Sequence, residues 1–161
     1  MQIRRVLTLG ALAAVVLLGL AQLVPYRIHN PPARDEPQWT DQQARSLMVA
    51  ACFDCHSNQT KQRWYNHVAP ISWWTTKHVD EGRAALNFDE WTATLAKRRD
   101  PGRLSGPVRR GDMPPSNYTW FGLHSDAKLT AAQRAQIVAE IDRITSASAS
   151  SSASSAPSSA P

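Results

Sequence analysis

The sequence predicts a mainly α-helical protein in which one N-terminal transmembrane helix precedes a single small domain. Three observations predict this class. Residues 6–24 are uncharged and almost wholly apolar, residues 39–145 contain segments with helical spacing and capping residues, and no alternating apolar–polar run long enough for a strand is found. The chain has 161 residues, a net charge of +5 and two cysteines. A large multidomain enzyme and a disulfide-dense scaffold are therefore excluded.

Residues 1–25 are predicted to form a membrane anchor. At about 1.5 Å per residue, the apolar run spans about 28 Å, close to the thickness of a bilayer core. Arg4 and Arg5 precede this run, so the positive-inside rule places the following domain on the exported side of the membrane. A cleaved signal peptide is the alternative, because Gly19 and Ala21 form a weak small-x-small site. Both interpretations export the domain.

Two further segments flank the domain, which spans residues 39–145. The Pro-rich residues 26–38 are predicted to be an extended spacer that holds the domain off the membrane. Residues 146–161 contain only Ser, Ala and Pro and are predicted to form a disordered tail, because they cannot bury a core. The domain itself is long enough for one thin core, and a core of that size often gains from a bound cofactor.

Four helices are predicted within the domain. Their approximate extents are residues 40–51, 71–86, a third ending near Lys97 that Asn87 or Asp89 caps, and a last one from Thr130 onward. Thr40 with Gln43 and Thr130 with Gln133 form capping boxes at two of the starts. In the last helix, apolar residues recur with helical spacing at Ile137, Ile141 and Ile144. Residues 100–115 are rich in Gly and Pro and are predicted to be a long loop.

The motif that carries chemistry is a Cys-x-x-Cys-His pentad, which contains both cysteines of the chain, Cys52 and Cys55, followed by His56. Two thiols at this spacing add to the two vinyl groups of one haem, and the adjacent histidine then binds the iron. Covalent attachment of haem c takes place on the exported side of the membrane, which is where the domain is expected. The pentad therefore predicts one haem c with thioether bonds to Cys52 and Cys55 and with His56 as the proximal ligand.

Three alternatives for the pentad are open. A redox-active Cys-x-x-Cys motif requires a thioredoxin-like βαβ pattern, which the sequence lacks. A zinc site requires further ligands from the remaining histidines. The two cysteines could also form a plain structural disulfide.

The distal ligand is predicted to be Met113, in a Gly/Pro-rich segment of the type from which small cytochromes c commonly present a methionine. A thioether is a soft ligand that stabilises ferrous iron. His78, in the second domain helix, is the main alternative, and an open sixth position is a further one. The backbone carbonyl of Ala69 or Pro70 is expected to accept the Nδ1–H of His56.

Aromatic residues are expected to wall an apolar haem crevice, since the domain is rich in tryptophan. The aromatic residues expected there are Trp64, Trp73, Trp74, Trp91 and Trp120, together with Tyr65, Phe88 and Phe121.

Residues 97–110 form a basic segment that is expected to dock an acidic redox protein by electrostatic steering, or to pair with haem propionates. Its charged residues are Lys97, Arg98, Arg99, Arg103, Arg109 and Arg110, against Asp100 alone. Nucleic acid is not expected as a partner of an exported domain, despite the basic pI.

The order of these motifs resembles the bacterial haem-binding domain family, a group of small membrane-anchored monohaem c-type cytochromes. The stretches that carry the resemblance are residues 52–58, 64–65, 69–73, 78–83, 86–91, 113–118 and 129–130. The resemblance implies a cytochrome c-like helical fold around one covalent haem c, and it leaves the partner open.

Together these features predict a membrane-anchored electron-transfer protein, not an enzyme, whose domain faces the periplasm from a bacterial inner membrane. Two other functions remain open at this point. One is a haem enzyme or a gas or redox sensor with a displaceable sixth ligand, and the other is an interaction module in which the haem is structural.

Overall fold

The computed structural model describes residues 1–98 and 100–154, and this part of the chain is helical with no β-strand beyond one isolated bridge between Asp35 and Glu90. The α-helices are α1 (Gln2–Ala21), α2 (Gln42–Ala51), α3 (Phe53–His56), α4 (Ile71–Ala85), α5 (Trp91–Ala96), α6 (Gly106–Arg110) and α7 (Ala131–Ser154). Short 3-10 helices cover Trp64–His67, Pro101–Arg103, Ser116–Gly122 and Ser125–Ala127. The predicted mainly helical class is confirmed.

Helix α1 is long and apolar enough to cross a membrane, and none of its residues is buried against the rest of the chain. A membrane anchor and a signal sequence both have these properties.

The hydrophobic core lies where α2, α6 and α7 meet the segments around α3 and α5. It contains Met48, Phe53, Phe88, Trp91, Leu104, Val108, Ile137, Val138, Ile141 and Ile144. Phe88 stacks on both Phe53 and Trp91, with ring centroids 5.5 and 6.0 Å apart. The three isoleucines predicted to face the core from α7 are buried, which confirms the helical periodicity.

The two predicted capping boxes have different outcomes. Thr130 and Gln133 exchange the expected hydrogen bonds, at 2.9 and 3.2 Å. The prediction for Thr40 is wrong, because α2 begins one residue later and Asp41 caps it, accepting from the backbone N–H groups of Gln43 and Ala44 at 2.9 and 3.0 Å. Thr40 is engaged by a different partner.

That partner is Glu140 of α7, a buried carboxylate that ties the last helix to the start of α2. It accepts hydrogen bonds from the backbone N–H groups of Thr40 and Asp41 at 2.6 and 3.1 Å and from the Thr40 hydroxyl at 2.8 Å. Arg143 lies 2.6 Å away. Burial opposes ionisation of Glu140, but the donors from Thr40 and Asp41 and the Arg143 charge outweigh it and lower the pKa of Glu140 below its ordinary value.

Replacing Glu140 with glutamine should lower the free energy of unfolding by about 2–3 kcal/mol at neutral pH, because an amide that keeps its oxygen on the two backbone donors loses the charge that pairs with Arg143 and turns its NH2 group toward that cation. A lowered pKa in the folded state stabilises the fold above the ordinary pKa of 4.5, and this contribution is lost as pH falls through the folded-state pKa. The difference in the free energy of unfolding between wild type and variant should therefore be smaller at acidic pH. Urea unfolding at pH 7 and pH 3 measures it, with the exposed Glu81→Gln as the matched control. A difference that stays constant with pH would contradict the role of the charge.

The Pro-rich segment (residues 26–38) is extended, as its composition indicates, but it is not a free spacer. Its Asn30 side chain donates to the carbonyl of Thr60 at 2.8 Å, and Arg83 of α4 donates to the carbonyl of His29. Further along, the N–H of Arg34 donates to the carbonyl of Asp89 at 2.9 Å. Prolines lack an N–H group, so the segment forms no regular backbone hydrogen bonds of its own. Its polar groups instead form hydrogen bonds with α4, the loop before α5 and other parts of the domain.

The predicted loop at residues 100–115 is wrong in part, because it contains the 3-10 helix Pro101–Arg103 and α6. The Pro and Gly residues that predicted irregular structure mark the beginning and the end of α6 instead. Pro107 lies in its first turn, where a missing N–H has no cost, and Gly111 ends it in the left-handed conformation at φ 85°. Helix α5 also begins later than expected and has no side-chain cap.

The tail expected to be disordered from residue 146 is helical in its described part, since α7 continues through Ser154. Serine hydroxyls there donate to the carbonyl four residues earlier, as Ser146 does to Asp142 at 2.8 Å. The indole N–H of Trp91 donates to the Ser148 hydroxyl at 2.9 Å, so this part of the helix is also packed on the domain. The remaining residues of the tail, 155–161, lie outside the described residues.

Candidate functional site

The Cys-x-x-Cys-His pentad forms the junction of α2 and α3. Cys52 ends α2, and its carbonyl accepts from the N–H groups of Cys55 and His56 at 3.1 and 2.9 Å, which closes one tight turn. The turn packs on α4 at Gly82, where a Cβ atom would lie 2.4 Å from the Cys55 carbonyl oxygen. Only glycine at this position lets α3 and α4 approach so closely.

The orientation of His56 is fixed by the C-terminal end of α4. Its Nδ1 lies 3.0 Å from the carbonyl oxygens of both Gly82 and Leu86, so Nδ1 carries the proton and Nε2 is left for a ligand. The expectation that Ala69 or Pro70 supplies this carbonyl is therefore wrong. Burial lowers the pKa of His56 despite these two carbonyls, which keeps the imidazole in the neutral form that binds a metal.

An apolar cavity of about 320 Å³, called here the first cavity, lies beside the pentad. Cys52, Cys55 and His56 line it from one side, and Met113 lines it although it is distant in sequence. The structure thus brings all four predicted site residues to one cavity. The apolar part of its wall comprises Leu86, Phe88, Leu104, Val108 and Ile141.

Both cysteines are free thiols in an apolar environment. Burial raises the pKa of Cys52 to about 12, with a smaller contribution from Cys55, and burial raises the pKa of Cys55 to about 11. Redox-active Cys-x-x-Cys motifs have the opposite property, a lowered thiol pKa. In the described residues, no group of three or more His, Cys, Asp or Glu side chains is arranged to hold a metal ion. Neither the redox motif nor the zinc site gains support from the structure.

Both candidates for the distal ligand, Met113 and His78, line the first cavity. After Gly111, the N–H of Asp112 donates to the Pro107 carbonyl at 2.9 Å, and Arg134 of α7 donates to the Met113 carbonyl at 2.9 Å. These contacts fix Met113 at the mouth of the cavity, with 37% of its surface exposed. His78 also lines the cavity, and its Nδ1 lies 2.8 Å from the Trp74 carbonyl, which leaves Nε2 unengaged by that bond.

A sequence model of the haem-binding domain family matches residues 16–143 of the chain. The chain belongs to this family. No curated protein and no solved structure shows significant similarity to the chain.

The residues of this haem-binding domain fit the group that the family binds. Two free thiols at the pentad spacing face an apolar cavity, and a neutral histidine presents Nε2 next to them. Arg98 and Arg103 line the same cavity, and their guanidinium groups could pair with the haem propionates. Covalent haem is therefore consistent with the donor set, through Cys52 and Cys55.

Ion pairs neutralise part of the positive charge of the basic segment (residues 97–110). Three of its arginines pair with carboxylates, in the ion pairs Arg103–Asp100 at 2.9 Å, Arg109–Asp142 at 2.9 Å and Arg110–Asp112 at 2.8 Å. The predicted Arg99 lies outside the described residues.

Of the aromatic residues expected to wall the haem crevice, Phe88 lines the first cavity, whereas none of the tryptophans in the described residues does. Trp91 belongs to the core, where it is joined by Trp39, which sequence reasoning missed. Trp64 and Trp74 line a second cavity of about 340 Å³ on the other side of Cys55.

A polar cluster beside the pentad was also missed. Asp54, the residue between Phe53 and Cys55, accepts from Arg63 at 2.7 Å and from the Tyr118 hydroxyl at 2.9 Å. Burial, the Asp54 charge and the hydrogen bond to Asp54 raise the pKa of Tyr118, so its hydroxyl remains a donor. Tyr118 follows the Met113 segment, and this bond holds that segment next to the pentad. The acidic residue within the pentad was the only sequence signal for it.

Proposed function

We propose that this haem-binding domain is a membrane-anchored, periplasm-facing monohaem c-type cytochrome that transfers electrons and is not an enzyme. The observation that carries the proposal is the convergence of Cys52, Cys55, His56 and Met113 on one apolar cavity. Such a cavity excludes water from a bound group and so raises the influence of its ligands on the reduction potential. When bound, haem supplies one-electron chemistry between ferric and ferrous iron.

In this proposal each residue has one role. Cys52 and Cys55 would hold the haem through thioether bonds, and His56, through Nε2, and Met113, through its thioether sulfur, would bind its iron. The α4 carbonyls of Gly82 and Leu86 hold the His56 ring and increase its basicity. Arg98 of the basic segment, which lines the first cavity, and the preceding Lys97 would meet an acidic redox protein by electrostatic attraction.

Retention of α1 as an anchor is part of the proposal. Gln22, the residue after α1, accepts from the N–H of Ala69 at 3.0 Å and donates to the carbonyl of Ala69 at 3.1 Å. This pair of hydrogen bonds attaches the end of the helix to the domain. With α1 retained in the membrane, this contact would hold the domain close to the bilayer surface.

A second candidate function rests on the partial exposure of Met113. A ligand at the cavity mouth is easier to displace than a buried one, which would suit a gas or redox sensor. The two functions differ in the spin state of the ferric protein, because displacement leaves the iron without a strong sixth ligand.

Replacing both Cys52 and Cys55 with alanine should abolish covalent haem. The full chain, produced in a host that attaches haem c and purified from membranes in detergent, should keep its haem after denaturation. The double variant should release all of it, as measured by haem staining of denaturing gels and by intact mass. The His78→Gln variant should retain haem and serves as the control. Release of haem from the wild type on denaturation would contradict the proposal, and a high-spin ferric spectrum would favour the sensor.

A further inference from the structure

The second cavity is not used by the proposed function. It lies between the 3-10 helix Trp64–His67, α4, and the segment that follows Tyr118. Its apolar wall includes Ile71, Trp74, Val79 and Leu123. Cys55, His78, Pro115 and Tyr118 line both cavities, so a molecule in the second cavity would lie next to the haem edge that is bonded to Cys55.

Two buried polar groups face this cavity without a partner. His124 and Asn66 are 7% and 4% exposed, and both line the second cavity. Nδ1 of His124 and Oδ1 of Asn66 have no hydrogen-bond partner among the described residues. An unsatisfied buried polar group destabilises the fold, so the arrangement is suited to a ligand that supplies polar atoms at these positions.

The position of His124 is held by its neighbours. Its Nε2 lies 2.9 Å from the Tyr65 hydroxyl, and its ring stacks on Tyr118 with centroids 3.8 Å apart. The nearest carboxylate oxygen, on Asp54, is 3.9 Å from Nδ1, which is too far for a hydrogen bond. Nδ1 is therefore oriented but not satisfied.

The rim of the second cavity is apolar and exposed. Trp64, Ile71, Trp74 and Leu123 line the cavity and each has between 45% and 71% of its surface exposed. The Gln22–Ala69 hydrogen bonds place the end of α1 between the 3-10 helix and α4, the two elements that carry three of these four residues. Tryptophan is enriched at membrane–water interfaces. The rim is thus next to the point where an anchored chain leaves the bilayer.

We propose that the second cavity binds the head group of a membrane-dissolved quinol. A quinol hydroxyl both donates and accepts, so it can satisfy the Asn66 oxygen, which needs a donor, and His124 Nδ1 in either tautomer. The quinol ring packs against Trp74, and its apolar tail leaves through the rim into the bilayer. The inference rests on the proposed function, since it treats the haem as the electron acceptor.

The chemistry of such a ligand balances with two haem reductions. Oxidation of one quinol breaks two O–H bonds and yields one quinone, two protons and two electrons. The two electrons would be taken up in two successive one-electron reductions of the single ferric haem, and the two protons would pass to water. An oxidised redox protein of the kind expected at the basic segment would reoxidise the single haem between the two steps.

The test uses the full-length holoprotein in detergent and the aromatic quinol analogue 2-heptyl-4-hydroxyquinoline N-oxide, whose fluorescence is quenched on binding. The wild type should bind it saturably. His124→Phe, which keeps a ring on Tyr118 but removes Nδ1, should bind roughly tenfold more weakly. The matched variant is His67→Phe, at an exposed histidine that does not line the cavity, and its affinity should be unchanged. Leu123→Trp, which fills the cavity at its exposed rim, should abolish binding without touching the polar groups.

Each other result overturns the inference. Absence of saturable binding by the wild type, equal affinity in all variants through partition into detergent, or equal weakening by His67→Phe would do so. The visible spectrum of each sample is recorded in parallel. Intact covalent haem with no binding means that the inference fails alone, whereas absence of covalent haem means that the proposed function fails.

Discussion

Replacing Met113 with leucine is expected to abolish the weak charge-transfer band that methionine-ligated ferric haem shows at the red end of the visible spectrum, and to lower the reduction potential. Leucine keeps the apolar volume but has no sulfur atom to bind iron. A thioether stabilises ferrous iron, so its loss should lower the potential by on the order of 0.1 V or more, within the about 0.8 V over which axial ligands act. Absorption spectra and a redox titration of the full-length protein measure both effects.

The chain supplies a matched control for this experiment. Met48, in α2, is fully buried in the core and does not line the first cavity. Met48→Leu makes the same chemical change and should leave the band and the potential unaltered. His78→Gln tests the other candidate. Absence of the band from the wild type, together with a ferric spectrum that changes in His78→Gln but not in Met113→Leu, would transfer the distal role to His78.

The positions of the site residues were predictable because their chemistry fixes their spacing. A pair of thiols that must reach two vinyl groups leaves little freedom in sequence, and the following histidine is then adjacent to the same cavity. Met113 was identified from the Gly/Pro-rich character of its segment. The structure shows the physical basis of that character, since Gly111 ends α6 and turns the chain toward the cavity.

The partners of these residues could not be predicted, because they depend on packing between elements distant in sequence. The two carbonyls that hold His56 come from the last turn and the C-cap of α4, where the Gly82 oxygen also accepts from the N–H of Leu86, and they reach the ring because Gly82 has no side chain. The contacts of the Pro-rich segment could not be predicted either, and it was expected to be only a spacer. Its composition shows that it is extended, but which groups satisfy its backbone is decided by α4 and the loop before α5.

The second cavity was missed because its polar groups have no common motif. Asp54, Arg63, Tyr65, Tyr118 and His124 come from three separate regions of the chain and meet only in the fold. Tryptophan content was visible in the sequence, but it does not reveal which cavity the indoles line. The tryptophans were therefore expected at the haem crevice, whereas Trp64 and Trp74 line the neighbouring cavity.

Replacing Gly82 with alanine is expected to lower the free energy of unfolding by about 2–3 kcal/mol, and to reduce the yield of protein with attached haem. The new Cβ would lie 2.4 Å from the Cys55 carbonyl oxygen and 3.1 Å from the Cys55 Cβ. Both atoms belong to the pentad, so α3 and α4 must separate and the carbonyls that hold His56 must shift. Urea unfolding of the holoprotein and the covalent haem content per chain measure the two effects.

The sign of the change in the free energy of unfolding of Gly82→Ala distinguishes the close contact with Cys55 from helix propensity. Alanine is favoured over glycine within a helix by about 1 kcal/mol, so without the close contact the substitution would stabilise α4. Ala84→Gly, at an exposed position of the same helix, measures propensity alone and should cost about 1 kcal/mol without loss of haem. If Gly82→Ala raises the free energy of unfolding by the amount that Ala84→Gly lowers it, the approach of α4 to the pentad is not what requires glycine. A loss in both variants, with haem reduced only in Gly82→Ala, assigns Gly82 to the geometry of the haem site.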